Sequence, residues 1–416
     1  MKIRSQRIGF PDARRVDLRL LFVTRFVRMF AYGLLSVPLM LYLSQLGFSE
    51  RQIGLLLSLT LVGDIGVSLI LTTLADRLGR RLTLAIGALL MLLAGVMFAS
   101  TQNYLALLVT ATIGVISPSG NEVGPFLSVE QASLTQVIES VRRTRVFGWY
   151  NLAGSLATAL GAIAFGGVTQ AAQNAGVSPL ASSRIVILAY AAAGGILGCL
   201  FAGLSPAVET GKASCIQAPA SGLRTFLGLH RSKRVVGRLS MLFSLDAFAG
   251  GFVMQSIVAY WFHTRWGIQP AALGTIFFGA NLLSAISALA AARLATKIGL
   301  VETMVWTHLP SNVLLILVPL MPSAPLAIMV LLIRFSISQM DVPTRQSYLM
   351  AVVQPDERSA AAGVAAVSRS LGASVSPSLA TMLLANPLLS AGPFLIGGGL
   401  KIVYDLLLYR GFVRAR

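Results

Sequence analysis

Twelve long apolar runs, separated by polar or glycine- and proline-rich connections, constrain this chain of 416 residues more than any other feature. A membrane-spanning helix needs about 20 mostly apolar residues, and each run is close to that length or longer. Charged residues make up 12% of the chain, against roughly a quarter of a soluble protein. The sequence therefore predicts an all-α polytopic membrane protein with twelve transmembrane helices. In chain order, runs 1 to 12 are 18–46, 53–74, 82–100, 104–132, 146–168, 185–204, 239–262, 272–295, 303–321, 324–350, 360–384 and 393–409.

The formal net charge of +18 comes from 33 lysine and arginine residues against 15 acidic residues. In a soluble protein this excess would suggest a nucleic-acid partner, but here the basic residues concentrate in alternate connections between the runs. Cytoplasmic loops of membrane proteins carry such an excess. We therefore expect both termini and the long basic connection 205–238 in the cytoplasm, a lipid bilayer around the runs, and no nucleic-acid partner.

Residues that would support enzymatic or metal chemistry are sparse. Two cysteines and three histidines have no spacing typical of a metal site or a disulfide framework. The sequence contains no phosphate-binding loop of the Gly-x-x-x-x-Gly-Lys-Ser/Thr type, so ATP bound by this chain is not the driving force. We expect no cofactor, no metal and no enzymatic activity.

The two halves of the chain repeat each other. Residues 46–54 resemble 266–274, and at the same offset Gly79 corresponds to Gly299, whereas Asp76 corresponds to neutral Thr296. A slightly smaller offset aligns Glu130-Gln131 with Arg345-Gln346. This duplication predicts an N-terminal six-helix bundle (1–204), a cytoplasmic linker (205–238) and a C-terminal six-helix bundle (239–416).

The connection after run 2, Thr72-Thr-Leu-Ala-Asp-Arg-Leu-Gly-Arg-Arg81, carries the most specific pattern. It resembles the G-x-x-x-D-R-x-G-R-R signature loop of the major facilitator superfamily, with Thr72 in place of the first glycine. A basic turn that only orients the chain is the alternative. Through the duplication the resemblance covers the whole chain. It implies twelve helices in two pseudo-symmetric six-helix bundles, with a substrate site between them near mid-membrane.

The resemblance also implies that runs 1, 4, 7 and 10 line the central cavity, and most charges at membrane depth lie on these four runs. A charge inside the hydrocarbon costs roughly 2.5–3.5 kcal/mol on insertion scales, so we expect these side chains to face the cavity or each other. The residues are Arg25, Arg28 and Tyr32 on run 1, Asn121, Glu122 and Glu130 on run 4, Asp246 on run 7, and Arg334, Ser338, Asp341 and Arg345 on run 10.

Two readings of these residues stay open. In the first they form ion pairs, arginine of run 1 with glutamate of run 4 and aspartate of run 7 with arginine of run 10, while Lys401 and Asp405 pair one turn apart on run 12. In the second they act in transport. The substrate cavity would then comprise Arg28, Tyr32, Asn121, Glu122, Arg334 and Ser338, and proton coupling would use the buried carboxylates Glu122, Asp246 and Asp341. The gate would comprise Arg25, Asp76, Arg77, Gly79, Arg80, Arg81, Glu130 and Arg345.

The signature loop also suggests a latch. Asp76 and Arg80 lie at the cytoplasmic end of run 2, and we expect Glu130 as a third member of their charge cluster. The second half has Thr296 and Arg345 at the corresponding positions, so the complete cluster occurs once. A latch on one side of the duplicated fold would stabilise the outward-facing state.

The sequence thus favours a secondary active transporter that moves a small organic solute by alternating access, coupled to protons and acting in efflux. The buried arginines keep a second hypothesis open, uptake or exchange of an organic anion. A third is a membrane sensor that keeps the transporter fold without transport. Segments 121–131 and 340–346 resemble bacterial facilitator proteins, so we expect a monomer in a bacterial inner membrane.

Overall fold

The computed structural model describes residues 12–138, 143–209, 229–354 and 357–412, and the side chains of 12–14, 76–77, 143–145 and 359 lie outside the description. Within these ranges every regular element is helical. In the first half the helices are α1 (Asp12–Ser36), α2 (Leu39–Gln45), α3 (Glu50–Leu78), α4 (Arg80–Ser100), α5 (Tyr104–Ile113), α6 (Phe126–Val137), α7 (Arg143–Asn174) and α8 (Pro179–Ala202). In the second they are α9 (Lys233–Gly251), α10 (Gln255–Trp266), α11 (Pro270–Ile298), α12 (Leu300–Leu317), α13 (Ala324–Phe335), α14 (Asp341–Val352), α15 (Arg358–Leu384) and α16 (Gly392–Phe412).

The twelve predicted runs correspond to twelve segments of this fold. Runs 2, 3, 5, 6, 8, 9, 11 and 12 each form one long helix, whereas runs 1, 4, 7 and 10 are each divided into two helices. In the described part, eight helical spans are long and apolar enough to cross a membrane, and the bent pair of run 1 makes a ninth. The remaining segments are runs 4 and 10, each a short apolar helix followed by a more polar one, and run 11, the helix α15.

The divided runs are those that the resemblance places around the cavity. Pro38 follows α1, where the chain bends by 45°, and Pro118 and Pro125 lie in the break of run 4. Proline cannot donate a backbone hydrogen bond and disrupts a helix interior. Non-helical backbone at membrane depth is tolerated only inside the protein or beside water, so these breaks place the four runs at the centre of the bundle.

The turns after runs 2 and 8 have the same backbone geometry, which supports the duplication. Gly79 has φ 96° and Gly299 has φ 98°, a region that side chains other than glycine rarely adopt. In each turn the hydroxyl of a threonine four residues later donates to the glycine carbonyl, at 2.9 Å from Thr83 and 2.6 Å from Thr303. The two halves therefore share local structure as well as sequence.

The halves contact each other at one end of the bundle, which we call the closed end; it carries the connections 46–49 and 267–269. There Tyr260 donates to Glu50 at 2.9 Å, and Ser378 donates to the hydroxyl of Ser58 at 2.8 Å. Gly54 makes the approach of α3 and α15 possible, because a methyl group there would lie 1.9 Å from the hydroxyl of Thr381. The opposite end, where α1 begins and α16 ends, carries the arginine-rich connections, and we call it the basic end.

Helix α9 begins earlier than the predicted C-terminal bundle. It starts at Lys233, inside the predicted linker 205–238, because three backbone N–H groups just before it, from His230 to Ser232, donate to the carboxylate of Glu357. The positive charges in this first turn made the segment resemble a loop in the sequence. Residues 210–228 of the linker lie outside the described part of the chain.

Candidate functional site

A buried ion-pair cluster joins runs 1 and 4 of the first half. Arg28 binds Glu130 at two points, with both N–O distances 2.7 Å, and neither side chain reaches the surface. The hydroxyl of Thr24 donates to Glu130 at 2.8 Å, and that of Tyr150 on α7 also donates to this carboxylate. Glu130 thus accepts hydrogen bonds from runs 1 and 5, which ties three segments of the half together.

Glu122, in the break of run 4, lies between two arginines. Its carboxylate is 2.7 Å from Arg25 and 2.8 Å from Arg28. The side chain of Glu122 is 14% exposed, whereas that of Arg28 is fully buried. Arg25 also lies over the ring of Tyr150, 4.5 Å from its centroid. The two arginines and two glutamates compensate one another, as the ion-pair reading of the sequence predicted.

The other predicted residues of the first half lie beside this cluster. Tyr32 is buried and its hydroxyl donates to the carbonyl of Val123 at 3.2 Å. Asn121 is exposed in the break of run 4. The N–H of Gly124 donates to Asp64 of run 2 at 2.5 Å. The break of run 4 is therefore held by side chains of runs 1 and 2.

Asp246 is the centre of the corresponding cluster in the second half. Its carboxylate is 2.6 Å from Lys401, 2.9 Å from Arg345 and 3.4 Å from Arg369. These cations come from runs 12, 10 and 11, so one carboxylate joins four segments. The predicted pairing of run 7 with run 10 is present, but it is part of a larger network. Arg369, at membrane depth on run 11, has a side chain that is 35% exposed.

Run 10 contributes two paired and two unpaired side chains. Arg345 binds Asp341 at 3.2 Å in addition to Asp246. Arg334 and Ser338 are buried, and in the described part of the chain neither Nε of Arg334 nor Oγ of Ser338 has a hydrogen-bond partner. The guanidinium of Arg334 lies 4.9 Å from the ring centroid of Phe335. Arg334 therefore differs from the other buried arginines of runs 1 and 10, which bind carboxylates.

The expected local pair between Lys401 and Asp405 is wrong. Lys401 binds Asp246, and Asp405 instead contacts His308 at 2.8 Å and the amide of Asn312 at 2.9 Å. The other ring nitrogen of His308 lies 3.8 Å from Asp246, so the histidine stands between two carboxylates. Sequence reasoning missed His308 and Asn312. The available signal was their spacing of four residues, which puts both polar groups on one face of an otherwise apolar helix.

The signature loop after run 2 does not include Glu130 as a partner, which corrects the expected cluster. Glu130 binds Arg28 instead, because that arginine lies directly opposite on run 1. The guanidinium of Arg80 donates to the carbonyls of Ala132 and Val208, at 3.2 and 3.1 Å. The side chains of Asp76 and Arg77 lie outside the described residues.

A glutamate that the sequence did not single out caps the helix after this loop. The carboxylate of Glu209 accepts hydrogen bonds from the backbone N–H groups of Arg80 at 2.7 Å and Arg81 at 3.1 Å. A negative group at a helix N-terminus compensates unpaired N–H groups and the helix dipole. Arg81 in turn donates to the carbonyl of Ala202 at the end of α8. The loop of run 2 is thus fixed to the segment that leaves run 6.

Comparisons with known proteins agree with this arrangement. The family model described as Major Facilitator Superfamily matches residues 21–377. The uncharacterized membrane protein YJR124C of Saccharomyces cerevisiae is 32% identical, over 96% of this chain and 95% of its own length. The quinolone resistance protein NorA of Staphylococcus aureus is 28% identical over 129 residues, 31% of this chain and 32% of that protein.

Among solved structures, a mutant of the nucleoside transporter NupG aligns with a TM-score of 0.75 at 15% identity, covering 95% of this chain and 99% of that chain. Together with the family match, this confirms the predicted fold class of twelve helices in two bundles. The relative that matches nearly the whole chain is a yeast protein, so it gives no support to the expected bacterial origin.

Proposed function

The chain belongs to the major facilitator superfamily and is a membrane transporter of that type, and from this premise we propose that it moves a small organic solute by alternating access, coupled to protons. The observation that carries the proposal is the network around Asp246. One buried carboxylate there holds cations from three other segments, so a change in its charge acts on four segments at once.

The distribution of contacts between the halves supports alternating access. Ser58 with Ser378, and Glu50 with Tyr260, join the halves at the closed end. The two charge clusters each lie within one half, so the halves can rotate against each other without separating these ion pairs. We assign the basic end to the cytoplasm because of its lysine and arginine residues; with the opposite end closed, this assignment corresponds to an inward-facing state.

Proton coupling follows from what neutralising Asp246 would do. Protonation would remove the anion shared by Lys401, Arg345 and Arg369, and buried charges without a partner are strongly unfavourable. The segments that carry these cations would then move apart or take up another anion. Glu122 between two arginines and Asp341 beside Arg345 are further candidates for the same role.

We assign gating to the residues near the basic end. The pairs of Arg28 with Glu130, Arg25 with Glu122, and Arg345 with Asp246 stiffen the ends of the divided runs. The signature loop, comprising Asp76, Arg77, Gly79, Arg80 and Arg81, connects runs 2 and 3 at the same end. Rigid ends let each half move as one body, which alternating access requires.

Direction and location are part of the proposal. The similarity to a quinolone resistance protein over 31% of the chain favours efflux over uptake. We propose that the protein is a monomer in a bacterial inner membrane. The basic connections favour a cytoplasmic position for both termini. The chain carries out no chemical conversion of its solute in this proposal.

Transport in proteoliposomes tests the function. A pH gradient is imposed across vesicles containing the purified full chain, and loss of a cationic dye is measured alongside exchange of labelled carboxylates. Loss of either solute that requires the gradient supports proton-coupled efflux, and carboxylate exchange that is independent of the gradient contradicts it. A chain that moves no tested solute under either condition supports the sensor hypothesis. The exposed Arg293→Gln variant should behave as the wild type.

A further inference from the structure

The two charge clusters differ in their balance of charge. In the described residues of the first half, the cations at membrane depth are Arg25 and Arg28, and the carboxylates are Asp64, Glu122 and Glu130, two cations against three carboxylates. In the described residues of the second half, the cations at membrane depth are Arg334, Arg345, Arg369 and Lys401, and the carboxylates are Asp246, Asp341 and Asp405. Counting lysine, arginine and carboxylate side chains, the second half therefore carries one surplus positive charge.

The surplus is located at Arg334. Arg345, Arg369 and Lys401 each bind Asp246, whereas Arg334 makes no ion pair with any described carboxylate. Its side chain is nevertheless buried, with a residue exposure of 9%. A buried cation without an anion is costly, so its retention in the interior calls for a partner that the chain itself does not supply.

Arg334 faces the interior of the protein. Leu326, Met329 and Ile333 form the exposed stripe of α13, which is the face that meets lipid. Arg334 lies with Ala327 and Val330 on the opposite, buried face. Its charge is therefore directed toward the bundle, in one of the four runs that surround the cavity, and it cannot be a side chain extending to the membrane surface.

A second unpaired donor lies one turn away. The N–H of Ser338 bonds the carbonyl of Arg334 at 3.0 Å, so the two residues share one side of the break in run 10. Among the described residues, neither the buried hydroxyl of Ser338 nor the buried Nε of Arg334 has a hydrogen-bond partner. A guanidinium presents parallel N–H groups that match the two oxygens of a carboxylate or phosphate, and a hydroxyl adds a third donor.

We propose that Arg334 and Ser338 form the binding site for an oxyanion group, carboxylate or phosphate, of the transported solute. The bound anion balances the surplus charge of the second half, and the aromatic ring of Phe335 lies 4.9 Å from the guanidinium. The inference rests on the proposed transport function and adds the chemical class of its substrate. It makes the substrate an organic anion, the class that sequence reasoning held as an alternative.

Binding without any gradient tests the site. Thermal unfolding of the purified full chain in detergent is followed at constant ionic strength with three anions, each against a neutral counterpart: benzoate and benzamide, succinate and succinamide, phenyl phosphate and phenol. A ligand that binds only the folded state raises the unfolding temperature. At least one anion should raise it while its neutral counterpart does not, and the carboxylate and phosphate arms identify the preferred group.

Variants locate the effect. Arg334→Gln should weaken anion binding by about tenfold or more, Arg334→Lys should retain part of it, and the exposed Arg293→Gln on α11 should leave it unchanged. Without ligand, Arg334→Gln should unfold at the same or a higher temperature, because it removes an uncompensated buried charge. Equal shifts by neutral compounds, no shift by any of the three anions, or full anion binding by Arg334→Gln would overturn the site. Anion binding that persists without proton-driven flux would contradict only the proposed coupling.

Discussion

Arg28 and Glu130 form a two-point ion pair between runs 1 and 4, with both N–O distances 2.7 Å and both side chains fully buried. In the second half, Asp246 and Arg345 join the corresponding runs 7 and 10 at 2.9 Å, so the acid and the base have exchanged places. The duplicated bundles keep an ion pair between equivalent runs while reversing its polarity. The two halves of the transporter therefore share one architecture but differ in the distribution of their buried charges.

Glu130→Gln should lower the free energy of unfolding by about 3–5 kcal/mol, because it leaves Arg28 buried with one carboxylate instead of two. Glu122→Gln should cost less, since the side chain of Glu122 is 14% exposed and Arg28 keeps Glu130 as a partner. Chemical unfolding of both variants in the same detergent measures the difference. A Glu130→Gln variant as stable as the wild type would contradict the role of this pair, and replacing Arg28 and Glu130 together by methionine should recover much of the loss.

The sequence predicted the parts of this structure that depend on local composition. Apolar runs of membrane-spanning length gave the twelve segments, and charges within runs 1, 4, 7 and 10 predicted ion pairs, because such charges need partners in hydrocarbon. The repeat predicted that Gly79 and Gly299 occupy equivalent turns, and their φ angles agree within a few degrees. These inferences required no knowledge of how the segments pack.

The choice among several possible partners could not be read from the sequence. Lys401 and Asp405 are four residues apart, the spacing that favours a local pair, yet Lys401 binds Asp246, which is 155 residues away. Asp405 instead contacts His308, which is 97 residues away. A single histidine in an apolar run does not indicate its partner. Glu130 likewise binds Arg28 of run 1 instead of the expected Arg80 of the signature loop. The direction in which a helical side chain faces depends on tertiary packing.

Asp246→Asn should abolish proton-driven transport and leave folded protein in the membrane, because the amide cannot take up and release a proton. Flux under an imposed pH gradient is compared with gradient-free exchange of the same solute, which should persist. Lys401→Gln serves as the matched variant, since it removes a cation from the network and keeps the carboxylate. Proton coupling that survives in Asp246→Asn would exclude this residue as the coupling site.

Asp76→Asn tests whether the signature loop is a latch. If it stabilises the state closed at the basic end, the variant should shift the population toward the state open at that end, as measured by spin-label distances between the two halves. Glu209→Gln is the comparison variant, because it weakens the N-terminal cap of α4 by about 0.3–1 kcal/mol and keeps Asp76 in the loop. Unchanged transport and populations in Asp76→Asn would reduce the loop to a topological anchor.

Stability should fall in acid because of Glu357, which lies at the basic end outside the membrane-spanning helices. Burial raises the pKa of this carboxyl, but hydrogen bonds from the Ser232 side chain and from the N–H groups of 230–232 outweigh it and lower the pKa to about 2, against an ordinary value of 4.5. The folded state therefore gains stability that is complete above about pH 5 and is lost as the pH falls toward 2.

Glu357→Gln should accordingly unfold at a lower temperature than the wild type by an amount that is constant above about pH 5 and shrinks in more acidic buffer. Unfolding temperatures of both proteins across the acidic range give this difference directly. His230→Ala controls for the nearby imidazole, whose Nδ1 lies 2.8 Å from the carboxylate. A difference that stays constant into strong acid would show that hydrogen bonds to a charged Glu357 contribute nothing specific.

Crosslinking the closed end tests whether the halves must separate there. Ser58 and Ser378 belong to different halves, and their hydroxyl oxygens are 2.8 Å apart, so cysteines at both positions should form a disulfide on oxidation in a background with Cys199 and Cys215 replaced by alanine. Because alternating access requires this end to open, the crosslink should stop transport, and reduction should restore it. Each single cysteine variant should transport solute under the same oxidising conditions. Full transport by the crosslinked protein would contradict opening of the closed end during the cycle.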